Sequence, residues 1–98
     1  MKASLPSNRR LNELFKYSKS TGVLIWKQKS SRQSPMCAGD VAGSYHKGEG
    51  YMQLCLDRRN YWLHRIIYKL VYGVEAARIE HKNGDKLDNR ICNLRAVK

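Results

Sequence analysis

The sequence of residues 51–73, YMQLCLDRRNYWLHRIIYKLVYG, changes its hydrophobic period partway along. Met52, Leu54 and Leu56 alternate with more polar neighbours. This period of two predicts a strand over residues 51–57 with one buried face. The apolar residues that follow recur at helical spacing instead. The stretch therefore predicts a strand and a helix that pack together, and the rest of the fold is expected to assemble around them.

The helix is predicted over residues 61–72, with Asn60 as its N-cap and Gly73 as the left-handed residue that ends it. Five apolar residues form the stripe expected to pack on the sheet: Leu63, Ile66, Ile67, Leu70 and Val71. The opposite face is aromatic and cationic, and it consists of Tyr61, Arg65, Tyr68 and Tyr72 with Lys69 at its edge. Two interpretations stay open for this face: a solvated helix surface, or a surface that follows a phosphate backbone.

Residues N-terminal to this stretch predict a second helix, short and capped by Ser7 or Asn8. Its apolar residues recur at helical spacing: Leu11, Leu14 and Phe15. A turn at residues 21–22, Thr-Gly, is expected to close it. Two β-rich segments bounded by glycines follow, at residues 23–28 and 40–46. With residues 51–57 they predict a three-stranded antiparallel sheet.

The fold predicted from these patterns is of the α+β class, and residues 1–98 are expected to form a single domain. The first part, residues 1–60, holds the N-terminal helix and the sheet region. The second part, residues 61–98, holds the packed helix and a C-terminal β hairpin. Residues 29–38, in which serines cluster around Pro35, are the candidate linker within the domain.

The composition restricts the function classes. The 98 residues include 19 Lys and Arg against 8 Asp and Glu, for a formal net charge of +11. Charge interrupts every apolar stretch, which argues against a membrane span or a secretory signal. The three cysteines form no C-x-x-C pair, so a disulfide framework and a zinc cage are not expected and a reducing compartment fits best. The basic excess favours a polyanionic partner over an ordinary basic protein.

Residues 78–97, RIEHKNGDKLDNRICNLRAV, hold the residues that suggest chemistry. Two β segments, residues 78–81 and 93–97, flank a polar loop. Glu80 directly precedes His81, and three asparagines lie in and after the loop: Asn83, Asn89 and Asn93. The residues alone leave two interpretations open: a structural or solvated histidine beside an ordinary Asn-Gly turn, or a catalytic histidine.

These residues resemble the HNH family of endonucleases, in particular the small phage and homing-type members. The specific part is the run EHKNGD, residues 80–85, followed by DNR at 88–90 and NLR at 93–95. The similarity extends upstream to five short segments: LFKY at 14–17, TGVLIWK at 21–27, AGS at 42–44, GY at 50–51 and LHRIIY at 63–68. The resemblance implies an HNH-like hairpin within a ββα-metal site.

The resemblance also implies a role for each matching residue. His81 corresponds to the general base that activates water. Glu80 stands where the family usually has an aspartate that binds the metal, which implies Mg²⁺ or another divalent cation. Asn93 matches the asparagine that ties the two β segments together and orients the histidine. From the helix angle, His64 lies beside Val71 at the margin of the apolar stripe, which favours a packing or hydrogen-bonding role that supports the hairpin over contact with DNA or metal. Asn89 is likewise expected to be a supporting residue.

Seven residues are predicted to contact DNA: Arg65, Tyr68, Lys69, Tyr72, Lys82, Arg90 and Arg95. Family members continue past the hairpin into a helix that carries the last metal ligand, and at the family's spacing that position falls beyond Lys98. The sequence is therefore expected to lack this ligand.

Two functions follow as expectations. The first is an HNH-type endonuclease that hydrolyses phosphodiester bonds of double-stranded DNA with a metal ion. The alternative is a catalytically inactive regulator that binds DNA or a nucleoprotein complex, such as a phage inhibitor of host defence. Both place the protein away from membranes, in the cytoplasm of a bacterial or phage-infected cell.

Overall fold

The structure is a computed structural model that describes residues 5–28, 38–56, 59–76 and 78–97. Its elements, in chain order, are α1 (Asn8–Leu14), β1 (Phe15–Ser18), β2 (Val23–Trp26), β3 (Ser44–Tyr45), β4 (Met52–Leu56), β5 (Arg59–Trp62), α2 (Leu63–Tyr72), β6 (Ile79–His81), a 3₁₀ turn (Ile91–Asn93) and β7 (Leu94–Ala96). Two helices with antiparallel strands confirm the predicted α+β class.

The strands form three small antiparallel sheets, ordered β1-β2, β3-β4-β5 and β6-β7. One apolar core connects them, and its members come from both ends of the described chain. Its fully or almost fully buried residues include Leu11, Leu14, Phe15, Leu24, Trp26, Leu54, Leu56, Ile66, Ile67 and Leu94. Among the described residues, no helix is long and apolar enough to cross a membrane.

The predicted composition of the three-stranded sheet was wrong. Residues 23–26 lie outside that sheet and form a hairpin with β1, a strand that the sequence did not predict, while Ile25 keeps one antiparallel bridge to Val41 of the predicted second strand. The third strand of the sheet is β5, which pairs with β4. Only residues 44–45 and 52–56 of the predicted strands belong to it. Pairing of β1 with β2 brings the rings of Phe15 and Trp26 to within 4.5 Å in the core. Burial of these two large rings favours this hairpin over the predicted strand arrangement.

The N-terminal helix begins as predicted, because the Ser7 hydroxyl accepts a hydrogen bond from the Arg10 amide. It ends earlier than predicted, since Phe15 is already the first residue of β1. The turn at residues 21–22 does not close this helix. Instead it connects β1 to β2, with the Gly22 amide donating to the Ser18 carbonyl oxygen at 2.8 Å.

The predicted cap of the second helix was also wrong. Asn60 lies in β5 opposite Cys55, and α2 begins at Leu63 after Trp62, which makes no side-chain cap bond. Tyr61, predicted on the outward helix face, belongs to β5 and is only 6% exposed. The C-terminus is confirmed: Gly73 has φ +77° and its amide donates to the Lys69 carbonyl oxygen. The predicted linker, residues 29–38, lies almost entirely outside the described residues, as does Cys37.

Candidate active site

The candidate site is built on the β6-β7 hairpin and the polar loop that connects its strands. Glu80 pairs with Arg95 and His81 with Leu94 in the register of this hairpin. Ile79 and Leu94 are buried, so the hairpin is attached to the core at both strands. The loop contains the Asn, Asp and Gly residues that favour turns. As a result, His81 lies at the end of a short, anchored strand.

Asn93 holds the loop together with three hydrogen bonds. Its Oδ1 accepts from the Asn83 amide at 3.0 Å, and its Nδ2 donates to Asn83 Oδ1 at 3.0 Å and to the Asp88 carbonyl oxygen at 2.9 Å. The side chain is buried, with the residue 5% exposed. Because a buried amide that loses its partners is costly, these bonds fix the path of the loop between the two strands. Asn93 thus lies where the resemblance implied a connecting asparagine, though no bond joins it to His81.

A second group of bonds fixes the loop before Asn89. The Arg90 guanidinium donates to both carboxylate oxygens of Asp88, at 2.9 and 2.8 Å. This hydrogen bonding holds the pKa of Asp88 well below its usual range. Asn83 Nδ2 also donates to this carboxylate, at 3.0 Å. The guanidinium of Arg90, a predicted DNA contact, is therefore hydrogen-bonded within the loop.

His81 is oriented by Asn89. Its Nε2 lies 2.9 Å from Asn89 Oδ1, and Asn89 is only 3% exposed. A carboxamide oxygen only accepts hydrogen bonds, so this contact places the ring proton on Nε2. The lone pair of Nδ1 is then free to accept a proton, as a general base requires.

Two further rings pack against His81. Tyr51 stacks on it with centroids 5.8 Å apart, and His64 contacts it edge-on at 5.2 Å. Burial lowers the pKa of His64 to about 4, with smaller contributions from His81 and Arg65. His64 is therefore neutral at physiological pH, and it packs beside His81 as a ring without charge.

An open depression of about 200 Å³ lies beside His81. Its lining consists of Tyr51, Arg78, Ile79, Glu80, His81, Gly84 and Lys86. The Lys86 ammonium lies 4.8 Å from the centroid of the Tyr51 ring and donates to the Glu49 carbonyl oxygen at 3.1 Å. Sequence analysis assigned no function to Arg78, Lys86 or Tyr51. The signal for Arg78 and Lys86 was the basic excess, which does not specify which cations meet, and Tyr51 stood only within the GY segment of the family resemblance.

Glu80, the predicted metal ligand, forms an ion pair with Arg95 across the hairpin. Among the described residues, no three His, Cys, Asp or Glu side chains converge as a metal site would require. A single carboxylate already paired with a guanidinium does not fit a divalent cation, which needs several oxygen ligands. The metal-binding role of Glu80 stays a prediction.

The predicted DNA contacts on α2 are largely engaged by other groups of the protein. Lys69 pairs with Glu75 at 3.4 Å, and Arg65 donates to the Ala76 carbonyl oxygen at 3.4 Å. The ring of Tyr68 packs on Tyr72 at 4.6 Å. Two of the remaining predicted contacts, Lys82 and Arg95, are exposed on the hairpin. The structure thus divides the predicted DNA-contacting residues between the helix and the hairpin.

The fold and site define a small α+β protein whose histidine lies at the end of a hairpin strand and is oriented by a buried asparagine. Residues 61–98 match the family model of the HNH endonucleases, which confirms the resemblance over α2 and the hairpin. Members of that family act on DNA and generally use a divalent metal. No curated protein and no solved structure matches the chain significantly.

Proposed function

We propose that this protein binds double-stranded DNA and hydrolyses its phosphodiester bonds with His81 as the general base. One observation carries the proposal: Asn89 occupies Nε2 of His81 and leaves Nδ1 as the proton acceptor. The family match over residues 61–98 supports the same class of reaction.

The depression beside His81 is the proposed binding place of the scissile phosphate. Arg78 and Lys86 border it and supply positive charge beside one acidic residue, Glu80, which is paired with Arg95, and Gly84 leaves room for close approach to the loop backbone. Charge-assisted hydrogen bonds to phosphate oxygens are stronger than neutral ones. Outside this depression, a larger one of about 310 Å³ is lined by Lys16, Lys19 and Lys27 and by no acidic residue. That basic surface supports contacts with phosphates further along a duplex.

The proposed reaction is a displacement at phosphorus. Water attacks the phosphorus atom while its proton passes to Nδ1 of His81, and the bond to the 3′ oxygen breaks. The departing 3′ oxygen takes a proton from solvent, which leaves a 3′ hydroxyl and a 5′ phosphate. No step is assigned to a metal ion, because the described donor set does not fit one.

The decisive experiment is plasmid nicking by the wild-type chain, by His81→Ala and by the control His46→Ala, each with EDTA, Mg²⁺ and Mn²⁺. We expect His81→Ala to lose nicking while the chain stays folded and its DNA affinity stays nearly unchanged, with some loss of stability because Asn89 loses a partner. His46, whose Nδ1 accepts from the Glu49 amide in the β3-β4 turn, offers a second histidine outside the proposed chemistry. Full nicking by His81→Ala, or equal loss in both variants, would contradict the role of His81.

DNA binding is tested by its dependence on salt. We expect the affinity for duplex DNA to fall at least about tenfold between about 50 and 200 mM salt, because neutralised phosphates release counterions. The net charge of +11 motivates this expectation. An affinity that does not change over this range would argue against the nucleic-acid partner.

A second candidate function, DNA or nucleoprotein binding without cleavage, is favoured by one observation. The Glu80 carboxylate is neutralised by Arg95, and no metal cluster forms among the described residues. Under this alternative, the wild-type chain binds DNA with the expected salt dependence and nicks no plasmid with any metal. Calorimetry without DNA provides a further measure, and we expect Mg²⁺ to bind with a Kd of about 1 mM or weaker, about 4 kcal/mol.

A further inference from the structure

Asn89, the partner of His81, is itself held by the N-terminal hairpin. The Tyr17 hydroxyl, on β1, donates to the Asn89 carbonyl oxygen at 2.6 Å, across 72 residues of sequence. Asn89 therefore makes two bonds of different kinds: its backbone accepts from Tyr17, and its side chain accepts from His81. Residue 17 lies outside the segment that matches the HNH family.

The same hairpin touches the loop at a second point. Gly22, at the β1-β2 turn, has φ +74°, and a Cβ built there would lie 2.5 Å from the Arg90 amide nitrogen and 2.7 Å from the Asn89 carbonyl carbon. No side chain fits in this space, so the two backbones are in direct contact. Asn89 and Arg90 are thus held between the turn at Gly22 and the hydroxyl of Tyr17.

The Tyr17 hydroxyl is suited to this contact over a wide pH range. Burial raises the pKa of Tyr17 to about 12, so the hydroxyl keeps its proton and donates throughout the physiological range. The acceptor is buried as well, because Asn89 is 3% exposed. Loss of the donor would leave a buried carbonyl oxygen without its partner.

We propose that Tyr17 is a positioning residue for His81: it fixes the backbone of Asn89, and the Asn89 side chain in turn fixes the ring orientation and tautomer of His81. The N-terminal hairpin is then part of the catalytic apparatus, although the family match does not reach it. The proposal rests on the proposed function for its effect on rate. Its effect on the His81 ring can be measured without any activity.

The variant that tests this proposal is Tyr17→Phe, which removes the hydroxyl and keeps the ring. The matched control is Tyr61→Phe, because Tyr61 is a second tyrosine, only 6% exposed, and no hydrogen bond joins its hydroxyl to another described residue. Nitrogen NMR of the imidazoles reports which ring nitrogen of His81 carries the proton. We expect Tyr17→Phe to lower the fraction of His81 that carries its proton on Nε2. Nicking should slow by about tenfold, the smaller of the effects seen when a residue that orients a functional side chain is replaced. Tyr61→Phe should change neither.

A double variant separates positioning from a general loss of structure. If Tyr17 acts through the Asn89 side chain, Tyr17→Phe has no further effect on the His81 tautomer or on nicking in an Asn89→Ala background. If the two losses instead multiply, Tyr17 acts by another route and the proposal is overturned.

The backbone contact is tested by Gly22→Ala against Gly39→Ala. Both glycines have positive φ, but a Cβ at Gly39 meets nothing within 4 Å, so only Gly22→Ala pushes on the loop. We expect Gly22→Ala alone to alter the His81 tautomer. Equal tautomer shifts in both variants, or none in either Gly22→Ala or Tyr17→Phe, overturn the proposal. A shifted tautomer in a chain that never nicks DNA supports the positioning role and removes the proposed hydrolysis.

Discussion

The first and last hairpins of the molecule, β1-β2 and β6-β7, have the same topology and are held in opposite ways. In β1-β2, Phe15, Leu24 and Trp26 are each at most 2% exposed and pack into the core. In β6-β7, the connecting loop is held by side-chain hydrogen bonds among Asn83, Asp88 and Asn93. Apolar burial is non-directional, whereas hydrogen bonds fix the distance and angle between particular atoms.

This difference matches the positions of the two hairpins relative to His81. A loop that places a ring nitrogen for proton transfer needs directional contacts, which the second hairpin supplies. The first hairpin supplies a rigid, buried support, and it meets the loop at Tyr17 and Gly22. Apolar and polar stabilisation should therefore differ in how much stability each loses on substitution.

The largest effect is expected for Trp26→Ala in the apolar hairpin. Trp26 is 2% exposed and its ring lies 4.5 Å from that of Phe15. Its removal should lower the free energy of unfolding by about 3 to 5 kcal/mol, because it leaves a large cavity in the core. Urea denaturation followed by circular dichroism measures this loss. The control Val74→Ala, at a residue 58% exposed, should change stability by less than about 0.5 kcal/mol.

The next effect is expected for Asn93→Ala in the polar hairpin. The substitution removes three hydrogen bonds and leaves buried partners behind, at a cost of about 2 to 4 kcal/mol. The control is Asn60→Ala, because Asn60 is exposed in β5 and its side chain makes no hydrogen bond among the described residues. Equal losses in both variants would mean that the loop network adds nothing to stability.

A third prediction concerns His64, which lies on α2 and packs against His81 of the polar hairpin. Its pKa is lowered to about 4 in the folded chain, below the usual 6.5, so the unfolded chain binds its proton first as pH falls. The resulting stability is complete above about pH 6.5 and disappears as pH falls towards 4. The loss should be about 2 to 3 kcal/mol. His64→Leu should flatten this part of the curve, while His46→Leu keeps it; an unchanged slope in His64→Leu would rule out His64 as its source.

The smallest effect is expected for Arg95→Gln. Arg95 pairs with Glu80 across the polar hairpin, but both side chains are substantially exposed, at 61% and 43%. Such a pair contributes about 0.2 to 1 kcal/mol, and salt screens it. Thermal melts at low and high salt provide the measurement. A loss of more than 2 kcal/mol that salt does not reduce would show that the pair is effectively buried.

Several elements were predictable because their signals are local. Ser7 caps α1, Gly73 ends α2, and Leu63, Ile66 and Ile67 are buried as the helical period requires. The strand around Met52, Leu54 and Leu56 follows from a period of two. Each of these features depends on residues within one or two turns of chain, so a short window of sequence contains the information.

The errors lie where two local patterns compete. Phe15 continues the helical spacing of Leu11 and Leu14, yet it begins β1 because pairing with β2 buries its ring against Trp26. Asn60 is a good helix cap by residue type, yet β5 pairs with β4 as far as Trp62 and delays the helix. The free energy of intrinsic helix or strand propensity is small compared with that of burying large side chains, so tertiary packing decided both cases.

By itself, the sequence determined the α+β class, the basic surface charge and the run of residues from Glu80 to Arg95 that resembles the HNH family. Only the tertiary structure decided which groups surround His81: Asn89 on its Nε2, His64 and Tyr51 on its ring, and Lys86 beside the open depression. It also decided the contact between Tyr17 and Asn89. The reason is physical, since periodicity specifies which face of an element is buried, whereas a contact between distant residues depends on how the elements pack.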